Sequence, residues 1–233
     1  MSIYDKSSLV LIPSGTKTSK VYSQKPTNGD GDFDFTRSTA ATRVNADGNI
    51  EKETENKVLL SNTFSSGTWN KSNASVTSSQ SGYDSTNDAW LLSNTSAGGH
   101  ISQPQTSDAG QVITISVYAK AGTLNWLRIT EYAGSNVWFD LGNGVVAGTF
   151  SGSNFIASSI TDVGGGWYRC TSTTIGGNNS FRFYPATYYN DESSLGNIYI
   201  QDAQRELGLV ARDVLTTTTT ALYGGITDNV PRL

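Results

Sequence analysis

Residues 114–130 read TISVYAKAGTLNWLRIT, residues 137–146 read VWFDLGNGVV, and residues 162–175 read DVGGGWYRCTSTTI. Ile113 to Tyr118 alternate apolar with small polar side chains, the pattern of a half-buried antiparallel strand. Gly-rich turns separate the three runs, and no helical period interrupts them. Strand signals bounded by turn residues continue outward on both sides. They place strands at 57–60, 69–76, 89–92, 100–103, 111–119, 125–132, 137–140, 155–163, 166–175, 181–184 and 197–204. So many short strands in one stretch predict two packed antiparallel sheets, a jelly-roll β-sandwich over about 58–210. Only DAQRELGLVAR (202–212) has a helical composition, and Gly208 interrupts it.

The remainder reads as extended arms. In residues 1–57, Pro13, Gly15, Pro26, Gly29 and Gly31 separate short extended pieces with small apolar groups. Such a segment buries too little surface to offset roughly 1–2 kcal/mol of ordering entropy per residue. It is expected to lie on something else. Residues 211–233 read as a second arm or a linker to a further fibre region, with five consecutive threonines at 216–220.

Bulk chemistry narrows the function. The chain has 233 residues, 36% hydrophobic and 15% charged, and Ser with Thr make up about a quarter. Hydroxyls rather than charges keep such a surface soluble. The net charge is −4 and the pI about 4.9. No basic patch marks a nucleic-acid footprint, and no apolar run has the length of a membrane span. The N-terminus lacks the pattern of a signal peptide. Cys170 stands alone, so no intrachain disulfide framework exists.

Several stretches resemble known phage modules. SLVLIPSGTKTSKVYSQKP, GDFDFTRSTAATRVNADGNIEKE and the terminal DNVPRL are similar to a module of tailed-bacteriophage structural proteins. LLSNTFSSGTWNKSNASVT, ITISVYAKAGT, WFDLGNGVV, DVGGGWYRCTSTT and IYIQDAQRELG resemble the carbohydrate-binding-module-like jelly roll of phage fibre and virion proteins. The resemblance implies a non-enzymatic virion protein of fibre, spike or capsid-decorating type that forms a homotrimer. It would be assembled in the host cytoplasm and exposed on the particle, with capsid or tail proteins as partners. A host-glycan-binding adhesin is the alternative, and a glycan-degrading tail enzyme a third reading.

Candidate residues follow. Arg37 and Arg43 flank STAAT and could fork onto carboxylates of a neighbouring subunit. Phe33 and Phe35 would anchor the same arm. Exposed arginines worth little are the plain reading. Asn28, Asp30, Asp32 and Asp34 share one face of an extended chain and offer oxygens of the kind Ca²⁺ takes. The EF-hand template nevertheless fails, with Phe35 where Gly is needed and Ala41 where Glu is needed. No other cofactor is expected. Trp126, Tyr132, Trp138, Tyr184, Tyr188 and Tyr189 are candidates for stacking on sugar rings, with Asn190 and Asp191 to bond hydroxyls. Most aromatics of a sandwich are core, so the turn-like Tyr188–Asp191 stretch is the preferred place. Strand alternation sets Trp167 and Arg169 on one face and Tyr168 and Cys170 on the other, one of them core, with Cys170 a buried small hydrophobe. His100 is the only histidine. No nucleophile elbow or zinc ligand set accompanies it, and no catalytic residue is assigned.

Overall fold

The computed structural model describes residues 2–17, 20–34, 42–44, 50–52, 54–105, 108–131, 135–151, 154–177 and 180–223. They belong to two units, one of residues 1–55 with 222–233 and one of residues 56–221.

The first unit starts with a single helical turn, α1 (Ile3–Lys6). Ser2 caps it: its hydroxyl accepts from the Asp5 N–H at 3.2 Å, and the Asp5 carboxylate accepts from the Ser2 N–H at 2.8 Å. These bonds satisfy donors that a helix start leaves free. Next come β1 (Val10–Lys17), β2 (Lys20–Lys25) and β3 (Phe33–Asp34), an antiparallel sheet in that order. β4 (Thr42–Val44) pairs with β5 (Ile50–Lys52), setting Arg43 opposite Glu51, and β6 (Glu55–Asn56) follows.

The second unit holds β7 (Asn70–Ser72), β8 (Ala74–Gln80), β9 (Ala89–Asn94), β10 (His100–Pro104), β11 (Val112–Ala121) and β12 (Trp126–Glu131). It continues with β13 (Ser135–Asp140), β14 (Val145–Ser151), β15 (Phe155–Gly164), β16 (Trp167–Ile175), β17 (Ser180–Ala186) and β18 (Gly196–Leu207). One sheet has the order β14-β13-β12-β17-β10-β7, the other β15-β16-β11-β18-β9-β8. All neighbours are antiparallel. The inner quartets β13-β12-β17-β10 and β16-β11-β18-β9 exchange strands as two Greek keys do, which is the jelly roll. β7 with β8 and β14 with β15 extend the two sides.

Three sequence expectations differ in detail. Lys57 to Leu60 form no strand, the run from Trp69 to Val76 divides at Asn73, whose φ is +48°, and β14 arises where no strand was expected. The helix-like DAQRELGLVAR is strand as far as Leu207. A central position between β11 and β9 overrides its local propensity.

Between the sheets, Leu127, Ile129, Val137, Phe139, Phe181 and Phe183 meet Ile113, Ile115, Val117, Ile198, Ile200 and Cys170, all buried. Phe64 and Trp69 close one side, their ring centroids 4.9 Å apart, and the Trp69 indole N–H donates to the Leu60 carbonyl at 3.0 Å. Each such side chain contributes about 1.5–3 kcal/mol on burial.

The central strands of the second sheet, β11 and β18, are buried on both faces. Their outer face carries Thr114, Ser116, Gln204 and Glu206, and residues 208–217 lie across it as a strap. Thr114 donates to the Gly208 carbonyl at 2.8 Å. Gln204 accepts from the Leu215 N–H at 2.9 Å, and Glu206 accepts from the Arg212 N–H at 2.9 Å. Further on, the Thr217 N–H donates to the Ser61 hydroxyl at 2.8 Å, and Asn56 donates to the Ala203 and Leu215 carbonyls at 3.0 and 2.7 Å. The sandwich unit therefore takes in most of the threonine run. Trp167 packs under this cover with Tyr118 and Ala89, while Cys170 faces the main core. Neither face of β16 is thus simply the outside.

A bulge makes this possible. Asp202 has φ +50°, and the β11 pairing slips there, from Ser116↔Gln204 to Tyr118↔Gln201. The extra residue shifts the alternation, so that Ile200 and Ala203 both reach the core. Asp202 turns outward and accepts from the Tyr83 hydroxyl at 3.1 Å. Burial pushes its carboxyl up to about 6, with the charges of Asp88 and Asp84 adding to the effect.

At one end of the sandwich, Arg205 is 1% exposed and ion-pairs with Asp108, whose other oxygen accepts from Lys57 at 2.5 Å. Burial pushes Asp108 up, but the Lys57 and Arg205 bonds outweigh it and hold the carboxyl below its usual range. Asp108→Ala leaves the buried guanidinium unpaired and is expected to destabilise the sandwich by about 3–5 kcal/mol. Urea unfolding measures this, and a loss under about 1 kcal/mol would show the pair to be dispensable. Asp202 acts in the opposite sense. Its raised folded pKa means that the folded state holds more protons between pH 3.8 and about 6, so its effect on stability worsens as pH rises through that window. Asp202→Asn is expected to match the wild type near pH 4 and to exceed it at pH 7 by up to about 3 kcal/mol. Melting curves at the two pH values decide, and an equal difference at both would contradict the assignment.

Candidate functional site

The outer face of the first sheet gathers the exposed-side residues of β12, β13, β17 and β10. Alternation along WLRIT, SNVWFD and SFRFY sends Trp126, Arg128 and Thr130, then Asn136 and Trp138, then Arg182 and Tyr184 to this face. Cross-strand pairing sets Arg128 between Trp138 and Tyr184. Its guanidinium carbon lies 5.4 Å from the Trp138 ring centroid and 4.1 Å from that of Tyr184, within cation–π range. His100 continues the stack, 4.4 Å from Tyr184, with its Nδ1 2.9 Å from the Gly98 carbonyl oxygen. Burial pushes the His100 pKa down, the bond to the Gly98 carbonyl opposes that, and the Arg182 and Arg128 charges add to the lowering.

Glu192, from the loop between β17 and β18, closes the cluster. One of its carboxylate oxygens accepts from the Trp138 indole N–H at 3.1 Å and from Arg128 at 2.9 Å. Arg128 Nε also donates to Thr130, which donates to Asn136, both at 2.8 Å. The result is a rigid polar and aromatic layer. Trp138 is only 2% exposed and Tyr184 6%, so neither offers a ring face to a sugar.

Rings do emerge in the loop itself. Tyr188 is 57% and Tyr189 39% exposed. Tyr189 rests on Trp138, centroids 5.0 Å apart, directly above Gly148, where a Cβ would come within 2.4 Å of the tyrosine ring. The turn closes through an Asp191 N–H to Tyr188 carbonyl bond of 3.2 Å, with Asn190 at φ +59°. Asp191 accepts from the Ser193 N–H at 2.8 Å, and Ser193 holds its carboxyl below the usual range. Tyr188, Tyr189, Asn190 and Asp191 thus share one exposed turn.

The other predicted residues are placed as follows. Trp126 sits half-buried at the start of β12, paired with Asp140 and Ala186. Phe33 is 51% exposed in β3. Tyr132, Phe35 and Arg37 lie outside the described residues, and of Arg43 only the backbone pairing is described. Asp32 accepts from the Ser23 N–H at 2.6 Å, and Asn28 bonds Asp30 at 2.5 Å. Among the described residues no group of three or more His, Cys, Asp or Glu is arranged to hold a metal ion. Sequence reading passed over Arg128 and Glu192. The WLRIT alternation was the available signal for Arg128, whereas nothing local marked Glu192.

No protein-family model and no curated protein matches the chain. Among solved structures, the enzymatically active domain of bacteriophage CBA120 tailspike protein 4 is matched at 17% identity with a TM-score of 0.39. The match spans 66% of this chain and 21% of that one, too slight a likeness to carry an argument.

Proposed function

We propose that the chain is a non-enzymatic structural protein of a tailed-phage virion, decorating the capsid or anchoring a head or tail fibre. The jelly roll is its exposed platform, and the unit built from both chain ends is its attachment and trimerisation element. The motif resemblance of those ends favours this reading. The observation that carries it is the exposure of the first unit's apolar side chains. Ile3 is 88% exposed, Phe33 51%, Tyr4 and Leu9 44% and Tyr22 36%. Apolar side chains so presented suit a surface that a neighbour covers, and a closed ring of identical copies covers each one alike.

A second reading is favoured by the Tyr188–Asp191 turn: the platform holds a host glycan there, with Tyr188 as the stacking ring. Both readings are open to measurement. Mass photometry of the full chain is expected to give three times the 24.9 kDa chain mass, and Phe33→Asp combined with Tyr22→Asp to shift the particles to single chains. A wild-type monomer would remove the trimer. For the second reading, a glycan array is expected to show binding that Tyr188→Ala reduces roughly ten-fold, about the worth of one lost stacking ring. An array signal indifferent to Tyr188 would remove that role.

A further inference from the structure

The sequence holds two Asn-Gly pairs, Asn28-Gly29 and Asn143-Gly144. Both asparagines are exposed in turns between strands, and both glycines have positive φ, +87° and +66°. An asparagine before glycine is open to a reaction that needs no enzyme. The glycine nitrogen attacks the side-chain carbonyl carbon, unhindered by a Cβ. What separates the two pairs is how each is hydrogen-bonded.

Asn143 is held. Its Nδ2 donates to one Asp140 carboxylate oxygen at 2.7 Å, and its own N–H and that of Gly142 donate to the other at 3.1 and 2.9 Å. The attacking nitrogen, Gly144 N, is tied as well, donating to the Asp140 carbonyl at 2.9 Å. Asn28 is arranged differently. Its Oδ1 accepts from the Asp30 N–H at 3.2 Å, an Asx-turn whose hydrogen bond closes a ring containing both Asn28 Cγ and Gly29 N. That N–H faces the oxygen on which negative charge develops during attack. Asn28 Nδ2 donates to the Asp30 carboxylate at 2.5 Å, which keeps the amide bent over the same turn. Among the described residues no acceptor takes the Gly29 N–H, so it stays open to solvent and to deprotonation.

We propose that Asn28 is a modification site, converted by spontaneous deamidation in the folded chain, and that the fold protects Asn143. Gly29 N gives its proton to hydroxide and bonds to Asn28 Cγ. The Cγ–Nδ2 bond breaks, and the nitrogen leaves as ammonia with a proton taken from water. Water then opens the resulting succinimide ring at either carbonyl, giving aspartate or isoaspartate with no change of oxidation state. Each product places a carboxylate where an amide donor faced Asp30, and isoaspartate adds a methylene to the main chain just before the turn from Gly29 to Asp32. That turn has no slack. The Asp32 N–H donates to the Gly29 carbonyl at 3.0 Å, and a Cβ at Gly31 would meet Leu9, Pro26 and Ser23 at 2.7, 2.9 and 2.9 Å. The conversion thus marks the age of the chain in an exposed turn of the first unit, and it does not rest on the role proposed for that unit.

The test is to incubate the full chain at mildly alkaline pH, digest it with trypsin and follow peptides 21–37 and 129–169, which carry Asn28 and Asn143, by mass spectrometry with fragmentation to locate the site. Peptide 21–37 should gain about 1 Da per conversion, as aspartate and isoaspartate forms that separate by chromatography, at a rate that rises with pH. In the folded chain Asn143 should convert at least roughly ten-fold more slowly, since a backbone and a side-chain hydrogen bond must open before attack. In concentrated urea the two rates should converge, which assigns the difference to the fold rather than to the local sequence. Asn28→Ser should remove the gain from its peptide and leave Asn143 unchanged. No gain at Asn28, equal rates in the folded chain, a difference that persists in urea, or an absence of isoaspartate would each overturn the assignment.

Discussion

The sandwich depends on covering a polar sheet face with partners that match it. β11 and β18 lie at the centre of the second sheet, and their outer side chains are Thr, Ser, Gln and Glu rather than apolar residues. Buried without partners, each such group costs on the order of 1–3 kcal/mol. The strap removes that cost by supplying backbone groups to side chains: Leu215 to Gln204, Arg212 to Glu206 and Gly208 to Thr114. A polar sheet face thereby becomes an interior. The Asp202 bulge belongs to the same solution, because it keeps a carboxyl out of the apolar layer while bringing Ala203 into it.

The first sheet solves its exposed face differently. There, a guanidinium lies between two rings, and one carboxylate from a loop bonds both the arginine and an indole. The aromatics that look available in the sequence are consumed in this layer, and the loop that holds them displays two further tyrosines. One sheet is thus sealed by chain and the other by side-chain stacking. The open surfaces are what those two coverings leave over.

Much of the fold was legible because β11, β12, β13 and β16 alternate cleanly between turn residues. β14 was not legible: VVAGTFS carries Gly148 where a side chain would collide with Tyr189, and its pairing comes from tertiary context. The strap was not legible either, since threonines contacting backbone at long range leave no periodic trace. The helical composition of DAQRELGLVAR is overridden for a related reason, as local propensity yields to a central sheet position, and the strand expected at 197–204 runs on to Leu207. For the candidate site, the composition of YYND marked an exposed turn correctly in kind. Glu192 escaped because its partners, Arg128 and Trp138, sit on distant strands.

Asn56, at the first residue of the sandwich unit, is hydrogen-bonded to the carbonyls of Ala203 and Leu215. The unit is therefore closed by its two ends, with nearly its whole length between them. Contacts of such separation form late and slow the search for the native state. During synthesis at about 5–20 residues per second, the stretch from Asn56 to Leu215 takes on the order of ten seconds to appear. Through that interval β11 must wait with its polar face bare and its neighbour β18 not yet made. The native sandwich is consequently completed only after the strap, as far as Thr217, has left the ribosome.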